Sequence, residues 1–229
     1  REGYVDEEEL IAAAVETEKL SHVDLYGIGT NLTCFSFIQA DEEKMERLAE
    51  MRRKVENAAG HTLEIVSGGN SAALDLMMRG GICEGIDSFR LGESLLFGKE
   101  RSRYTFLPGT RNDGFILECE VVEAKVKPSL PWGTTGVDSY GRKPVFTNRG
   151  EKRKKVICAI GRQDFDAETT TPVDEGILIL GASSDHLILD VTDSVKEYKV
   201  GDIVELRLGY FSVLRAFTSP YVEKIFLKK

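Results

Sequence analysis

The chain has 229 residues, of which 41% are apolar and 30% charged, as in an ordinary globular protein with one large or two modest domains. Its formal net charge of −8 excludes a general electrostatic attraction to nucleic acid or to anionic lipid. No apolar run reaches membrane-spanning length. From the charge and from the apolar runs together, we expect neither a nucleic-acid partner nor a membrane partner.

The first half of the chain alternates helix-like and strand-like segments. Asp6 and Glu9 are spaced as at the start of an amphipathic helix, and Gly60 suits the C-terminal cap of a second, charged helix. This alternation predicts a parallel sheet with crossover helices. The predicted segments are a helix over 6–20, a strand over 23–29, a helix over 41–59, a strand over 61–67, a helix over 71–79 and a strand over 86–91.

The pattern changes after about Gly98, where β-rich runs follow one another between turn signals. We therefore predict a mostly antiparallel β domain in residues 112–229, after an α/β domain in residues 1–111. Residues 149–155 form a basic run that we interpret as a solvated turn. The predicted strands cover 115–126, 156–160, 177–180, 187–191 and 203–208.

Four cysteines are scattered along the chain, at Cys34, Cys83, Cys119 and Cys158. None has a histidine or a second cysteine at metal-ligand spacing, so we expect no metal site. Free thiols are typical of a reducing compartment, and the sequence therefore predicts a cytoplasmic protein.

Two glycine-containing segments have the composition of an anion site. Ser67-Gly68-Gly69-Asn70-Ser71 follows an apolar run and precedes a helix, so that glycines allow close approach while N–H and hydroxyl groups donate. Arg90-Leu91-Gly92-Glu93 ends the next apolar run, which lies beside the first in a parallel sheet. The pair predicts a cofactor phosphate at the carboxyl ends of barrel strands. The alternative is a chain-reversing turn with a serine cap on the following helix.

Five motifs occur in this order: Ser67-Gly-Gly-Asn-Ser71, Arg90-Leu-Gly-Glu93, Ala159-Ile-Gly-Arg-Gln-Asp164, Leu180-Gly-Ala-Ser-Ser-Asp-His-Leu-Ile-Leu-Asp190 and Ser219-Pro-Tyr-Val222. In this order the chain resembles the alanine racemase-like fold of pyridoxal-phosphate enzymes, and within it the ornithine and alanine racemase branch. The resemblance implies a partial (β/α)8 barrel followed by a mostly antiparallel C-terminal β domain. It also implies pyridoxal 5'-phosphate as cofactor, an amino acid as substrate, and a homodimer with shared active sites.

In that family the lysine that binds the cofactor covalently lies on the first barrel strand, and no equivalent strand occurs in this chain. A complete barrel takes roughly 250 residues, so the resemblance implies that roughly the first third of a family member precedes Arg1. We expect the isolated chain to be inactive. We also expect it to pair with a copy of itself or to retain the missing barrel half without a covalent link.

The resemblance assigns cofactor-binding roles in the two glycine-containing motifs, Ser67–Ser71 and Arg90–Glu93. Asn70 and Ser71 match the phosphate-binding pair, with Ser67, Gly68 and Gly69 as further donors, and Gly92 and Glu93 supply backbone N–H groups. Tyr221 lies near the phosphate-contacting tyrosine but is offset by one residue.

Arg90 matches the arginine that faces the pyridine nitrogen of the cofactor. A guanidinium stays charged and only donates, so it keeps that nitrogen unprotonated, which suits racemisation and discourages transamination. A surface salt bridge is the alternative for Arg90.

Catalytic and substrate roles follow from the same resemblance. Tyr140, in Ser139-Tyr140-Gly141, matches the second base of the partner subunit, and Asp138 or His186 are alternative proton-transfer groups. A turn tyrosine is the competing interpretation.

Ser184 and Asp185 match the part of the β domain that touches substrate in the partner's site, with Ser184 as a substrate-binding residue and Asp185 as a candidate catalytic residue. A turn aspartate is the alternative for Asp185. Arg162 and Asp164 form a charged pair that suits a longer polar substrate such as ornithine, or a surface pair. Arg1 matches a barrel arginine near the cofactor ring.

We therefore expect a fragment of an amino-acid racemase that acts by two-base proton transfer at Cα. One alternative is an aldolase or dehydratase for D-hydroxy amino acids, whose relatives use a metal held by histidine and cysteine. The other is a pyridoxal-phosphate-binding module without catalysis.

Overall fold

The computed structural model describes residues 3–137 and 141–228. It divides into two compact units, Arg1–Arg111 and Asn112–Lys229. Within the described part of the chain, no helix combines the length and apolar character needed to cross a membrane.

The first unit alternates helices with short strands. Its three strands form a parallel sheet in the order β1-β2-β3, as the βαβα pattern predicts. Parallel pairing puts the carboxyl ends of all three strands at one edge of the sheet. The elements are α1 Glu7–Thr17, β1 Gly27–Gly29, α2 Glu42–Ala59, β2 Ile65–Asn70, α3 Leu74–Met78, β3 Ser88–Arg90 and α4 Glu93–Phe97.

Capping residues set the ends of the long helices. The Asp41 carboxylate accepts a hydrogen bond from the N–H of Lys44 at the start of α2, and Gly60 ends this helix with a left-handed φ of 81°. The Asp6 carboxylate accepts from the N–H groups of Glu8 and Glu9, but α1 ends at Thr17, before the predicted end at residue 20. The predicted helix over 41–59 is confirmed almost to the residue.

The core of this unit lies between the two long helices and the start of the sheet. Apolar side chains from both helices pack against Leu63, which leads into β2, and against the segment around β1. The buried members are Ala14, Met51, Val55 and Leu63, and the partly buried ones are Leu10, Ile11, Leu25 and Ile28.

The strands are shorter than predicted, and β2 is shifted along the chain. It begins at Ile65 rather than at residue 61 and continues to Asn70, so the glycine-rich motif lies in the strand rather than after it. A β-carbon on Gly68 would come within 2.8 Å of Ile86 and Phe89, so only glycine lets the strand pass this close. The helix predicted over 71–79 is a 3₁₀ turn, Ser71–Ala73, followed by the single short helix α3.

The second unit is a six-stranded antiparallel sheet in the order β6-β9-β4-β5-β8-β7. The edge strands β6 and β7 approach each other, which partly closes the sheet into a barrel. Alternate side chains of β4 and β9 are buried, which gives one face of the sheet an apolar core. The elements are β4 Ile116–Lys127, β5 Arg153–Cys158, β6 Thr170–Pro172, β7 Leu178–Ala182, β8 Leu187–Asp190, β9 Ile203–Leu208 and α5 Tyr210–Thr218.

Two features of this unit differ from the sequence prediction. The helix α5 follows β9, although few helices were expected here. The basic run over 149–155 is only partly a turn, because Arg153 begins β5 and its guanidinium lies 2.8 Å from the carboxylate of Asp190 and 2.7 Å from that of Asp193. These carboxylates neutralise the charge of Arg153, which the sequence analysis expected to be solvated.

Candidate functional site

The carboxyl ends of the parallel strands bring the two glycine-containing motifs together. Asn70 at the end of β2 pairs in register with Arg90 at the end of β3, and Thr30 directly follows β1. Three strand ends therefore supply polar groups to one edge of the sheet, where sites in βα-barrels lie.

Arg90 connects these strand ends. Its Nη2 donates to the carbonyl oxygen of Thr30 at 2.7 Å, and its Nη1 donates to the hydroxyl of Ser67. Among the described residues no carboxylate pairs with this guanidinium, so the surface salt bridge considered for Arg90 does not form. Beside it lies a depression of about 360 Å³, whose walls are Tyr26, Gly27, Ile28, Gly29, Thr30, Asn31, Ile65 and Arg90.

Asn70 joins the end of β2 to the loop that follows β1. Its Nδ2 donates to Asn31 Oδ1 at 2.6 Å and to the carbonyl oxygen of Leu32 at 3.1 Å, and its Oδ1 accepts from the N–H of Ala72 at 2.8 Å. Its amide thus already has protein partners on both sides. Before it, Gly69 has a φ of 121°, which glycine adopts without the strain of a side chain.

Ser71 joins the second motif to the first. Its hydroxyl lies 3.0 Å from that of Ser94 and accepts from the N–H groups of Gly92 at 3.4 Å and Ser94 at 3.2 Å. Ser71 is only 4% exposed. The serine and the Gly92 N–H that sequence reasoning assigned to one phosphate therefore lie in contact, although 21 residues separate them.

The Glu93 side chain is mostly buried, at 12% exposure, and lies 3.7 Å from the guanidinium of Arg101. Sequence reasoning missed Arg101, Thr30, Asn31 and Ser94. Thr30 and Asn31 had a usable signal, since polar residues directly after a barrel strand occupy the same edge as the motifs.

In the second unit, Ser184 and Asp185 lie in a turn between β7 and β8. The Asp185 carboxylate is 2.9 Å from Nδ1 of His186 and accepts from the hydroxyls of Ser183 and Ser184. Hydrogen bonds from His186 and then Ser183 hold the pKa of Asp185 below its ordinary value. Asp185 is therefore a hydrogen-bond acceptor at neutral pH, not an acid.

Arg162 lies beside this turn. Its N–H donates to the carbonyl oxygen of Ser183 at 2.8 Å, and its Nε donates to that of Ala182 at 2.8 Å. It also lines a depression of about 420 Å³, together with Glu168 and the apolar residues of β7. The structure thus places Arg162 and Ser184 on adjoining loops.

The charged pair expected between Arg162 and Asp164 is not formed. Asp164 is 4% exposed and accepts a hydrogen bond from the hydroxyl of Ser219 at 2.6 Å, whereas Arg162 bonds to carbonyl oxygens. The Ser219 hydroxyl also accepts from the N–H of Tyr221 at 3.1 Å. Because Tyr221 is 77% exposed, its phenol is free to meet a ligand, but Asp164 is a buried structural group.

Tyr140, Asp138 and Arg1 lie outside the described residues, so the sequence assignments to them remain predictions. Within residues 3–137 and 141–228, no three or more His, Cys, Asp and Glu side chains converge as the ligands of a metal ion would.

The fold is the alanine racemase-like fold, in which part of a (β/α)8 barrel precedes an antiparallel β domain. An alanine racemase from Streptomyces lavendulae superimposes with a TM-score of 0.61 at 17% identity, over 99% of this chain and 63% of the other. No protein-family model matches the chain.

Two curated proteins are more similar in sequence. The chain is 45% identical over 224 residues to the ornithine racemase of Acetoanaerobium sticklandii, and 42% identical over 214 residues to the lysine racemase of Thermotoga maritima. These matches cover 98% and 93% of this chain but 63% and 60% of the relatives. The resemblance recognised in the sequence is confirmed, and the chain spans about three fifths of the length of these relatives.

Proposed function

We propose that this chain is the larger part of a pyridoxal-phosphate-dependent amino-acid racemase that acts on a basic amino acid such as ornithine or lysine. One observation carries the proposal: Arg90 stands at the shared carboxyl edge of three parallel strands with no carboxylate partner among the described residues. It does so in a chain 45% identical to an ornithine racemase.

The residues at this edge fit the cofactor. A β-carbon on Gly29 would come within 2.9 Å of the Ser67 side chain and 3.3 Å of Arg90 Nη1, so the glycine keeps a cradle open in front of the guanidinium. The donors around it are hydroxyls, N–H groups and a cation, which is the chemistry that a phosphate and a ring nitrogen require. The proposed cofactor contacts are Ser67, Gly69, Asn70, Ser71, Gly92, the main-chain N–H of Glu93, and Tyr221, with Arg90 at the ring.

Pyridoxal phosphate, when bound, withdraws electron density from the Cα of an amino acid and so lets its proton leave. Arg90 limits that withdrawal, because a permanent cation with only donors keeps the ring nitrogen from binding a proton. Rapid return of the proton to Cα is then favoured over transamination. Tyr140 is the proposed base on one face, and the base on the other face is the lysine that the family resemblance implies.

Substrate selection is assigned to the second unit. The Asp185 carboxylate and the Ser184 hydroxyl offer acceptors that suit an ammonium group, and Arg162 offers a donor for a carboxylate. A basic amino acid carries both groups. We propose that these residues reach the active site of a second copy, so that the functional protein is a homodimer.

The test is intact mass spectrometry of the purified protein with pyridoxal phosphate, with and without borohydride reduction. A reduced adduct on a lysine-bearing polypeptide that accompanies this chain supports the proposal. Chiral chromatography of L-ornithine, L-lysine and L-alanine after incubation then measures racemisation, and faster turnover of the basic amino acids is expected. An adduct on a lysine of this chain would overturn the assignment, and so would protein that holds the adduct but releases aldehyde or keto products instead of D-amino acids.

A further inference from the structure

Glu93 places a negative charge beside the proposed phosphate position. It directly follows Gly92, whose N–H lies 3.4 Å from the hydroxyl of Ser71. Its side chain is only 12% exposed, so water screens this charge less than it would screen a fully exposed carboxylate. A carboxylate here repels a phosphate dianion at the same hydroxyl, unless another group neutralises it.

Arg101 is the group that can neutralise Glu93. Its Nη1 lies 3.7 Å from Glu93 Oε2, and its main-chain N–H donates to the carbonyl oxygen of Ser71 at 3.5 Å. Its guanidinium also stands 5.7 Å from the ring centroid of Tyr104. Arg101 therefore contacts Ser71, the proposed phosphate ligand, through its main chain and Glu93 through its side chain.

The turn that carries Arg101 is held by its own hydrogen bonds. The N–H of Leu107 donates to Gly98 at 2.7 Å, and the N–H of Glu100 donates to Thr105 at 3.0 Å. The Glu100 side chain is buried and accepts from Ser102 and from the N–H of Arg103. A buried carboxylate with these donors stabilises one conformation of the turn.

The other cations of the turn have different partners. Lys99 lies 4.1 Å from the centroid of the Tyr104 ring, and Arg103 lies 3.2 Å from the carboxylate of Asp75. Within the part of the chain that the structure describes, Arg101 is the cation that pairs with Glu93.

We propose that Arg101 is a positioning residue for the cofactor, which neutralises Glu93 and so permits a phosphate dianion to bind at Ser71 and Gly92. The inference rests on the proposed function, because it requires a phosphorylated cofactor at this edge of the sheet. It adds that the affinity for the phosphate depends on a residue outside both motifs.

The experiment measures dissociation constants of the full chain for pyridoxal phosphate and for pyridoxal, which lacks the phosphate, by titration of absorbance at low ionic strength. Arg101→Met is expected to raise the constant for pyridoxal phosphate about tenfold and to leave that for pyridoxal unchanged. The increase shrinks in high salt, because added ions screen the repulsion from Glu93. The double variant Arg101→Met/Glu93→Gln is expected to bind like the wild type, because it removes the repelling charge as well.

Arg103→Met is the matched control, since it removes a cation of the same turn. Arg103 pairs with Asp75, and Asp75 still has Arg79 as a partner in this variant. The Arg103→Met variant is expected to bind both ligands like the wild type. Circular dichroism melts show which variants are folded, and the double variant tests the proposal even if Arg101→Met is unstable, because it leaves no unpaired charge. The inference, but not the proposed function, is overturned if the double variant binds pyridoxal phosphate as weakly as Arg101→Met does. It is likewise overturned if Arg101→Met has the dissociation constant of the wild type. A wild-type chain that binds neither ligand overturns the proposed function and this inference with it.

Discussion

The guanidinium of Arg90 and the main chain of Thr30 are joined directly, since Nη2 lies 2.7 Å from the Thr30 carbonyl oxygen across 60 residues of sequence. The same guanidinium donates to the hydroxyl of Ser67 on the strand between them. One side chain at the end of β3 thereby fixes the ends of β1 and β2. A residue proposed to face a cofactor ring thus also holds the edge of the sheet.

Arg90→Lys is expected to lower the free energy of unfolding by about 1 kcal/mol, because an ammonium group cannot span both acceptors as a planar guanidinium does. Urea denaturation measures the change. Arg53→Lys is the control, since Arg53 is exposed on α2, and it is expected to leave stability unaltered. Equal stability of Arg90→Lys and the wild type would show that the two hydrogen bonds do not matter to the fold.

Asn70→Ala is expected to lower the free energy of unfolding by about 1–2 kcal/mol and to loosen the loop after β1. In this variant Asn31 and Leu32 lose a hydrogen-bond donor, and the N–H of Ala72 loses its acceptor. Hydrogen exchange of amides 31–37 measures the loosening. Asn57→Ala, on the exposed face of α2, is the control and is expected to exchange like the wild type. Unchanged exchange in Asn70→Ala would contradict the proposed link.

Gly68→Ala is expected to destabilise the first unit by about 1–3 kcal/mol, because the added methyl group would lie 2.8 Å from Ile86 and Phe89. Gly136→Ala adds the same methyl group where no atom lies within 4 Å, and it is expected to be neutral. Thermal melts of both variants make the comparison. A stable Gly68→Ala would mean that the strand can move away from Phe89.

Asp190 is expected to give stability a dependence on acid pH. Burial favours its neutral form, but hydrogen bonds from Arg153 and Thr192 outweigh burial and hold its pKa below the ordinary value. A carboxyl whose pKa is lowered by folding stabilises the protein above its unfolded value of about 3.9, and this contribution is lost as the pH falls through the folded value. The free energy of unfolding should therefore fall as the pH drops below about 4.

Two variants isolate the contribution of Asp190. Asp190→Asn is expected to lower the free energy of unfolding at pH 7 by about 3 kcal/mol. Asp190 is only 1% exposed, and Arg153 loses this buried charged partner in the variant. Asp193→Asn removes the exposed partner of the same arginine and should cost far less. Denaturation of both variants at pH 7 and pH 3 makes the test, and equal losses at pH 7 would contradict the assignment.

Several elements could be predicted because their signals are local. The helix over 41–59 has an aspartate cap, a glycine stop and an apolar stripe, and it occurs at Glu42–Ala59. The strand Ile203–Leu208 alternates apolar and polar residues and was predicted to the residue. Strands 23–29 and 86–91 were overextended, because an apolar run shows that a segment is buried but not how many of its residues pair.

The candidate site was predictable in its motifs and not in its contacts. The motifs Ser67–Ser71 and Arg90–Glu93 can be recognised because glycine, serine and arginine stand at the ends of apolar runs. No local rule predicts that Arg101 meets Glu93, or that Asp164 turns from Arg162 to the hydroxyl of Ser219. Those partners depend on the path of the loops between elements.

Periodicity, caps and glycine positions thus settle the order and kind of most elements, because each depends on residues a few places apart. Which polar groups share an edge depends on parallel pairing, because the Arg90–Thr30 bond and the Asn70–Asn31 bond, at 39 residues apart, exist only once β1, β2 and β3 lie side by side. Burial then decides which charges need partners. Arg90 is exposed and has no carboxylate partner in the described structure, whereas the mostly buried side chain of Glu93 pairs with Arg101.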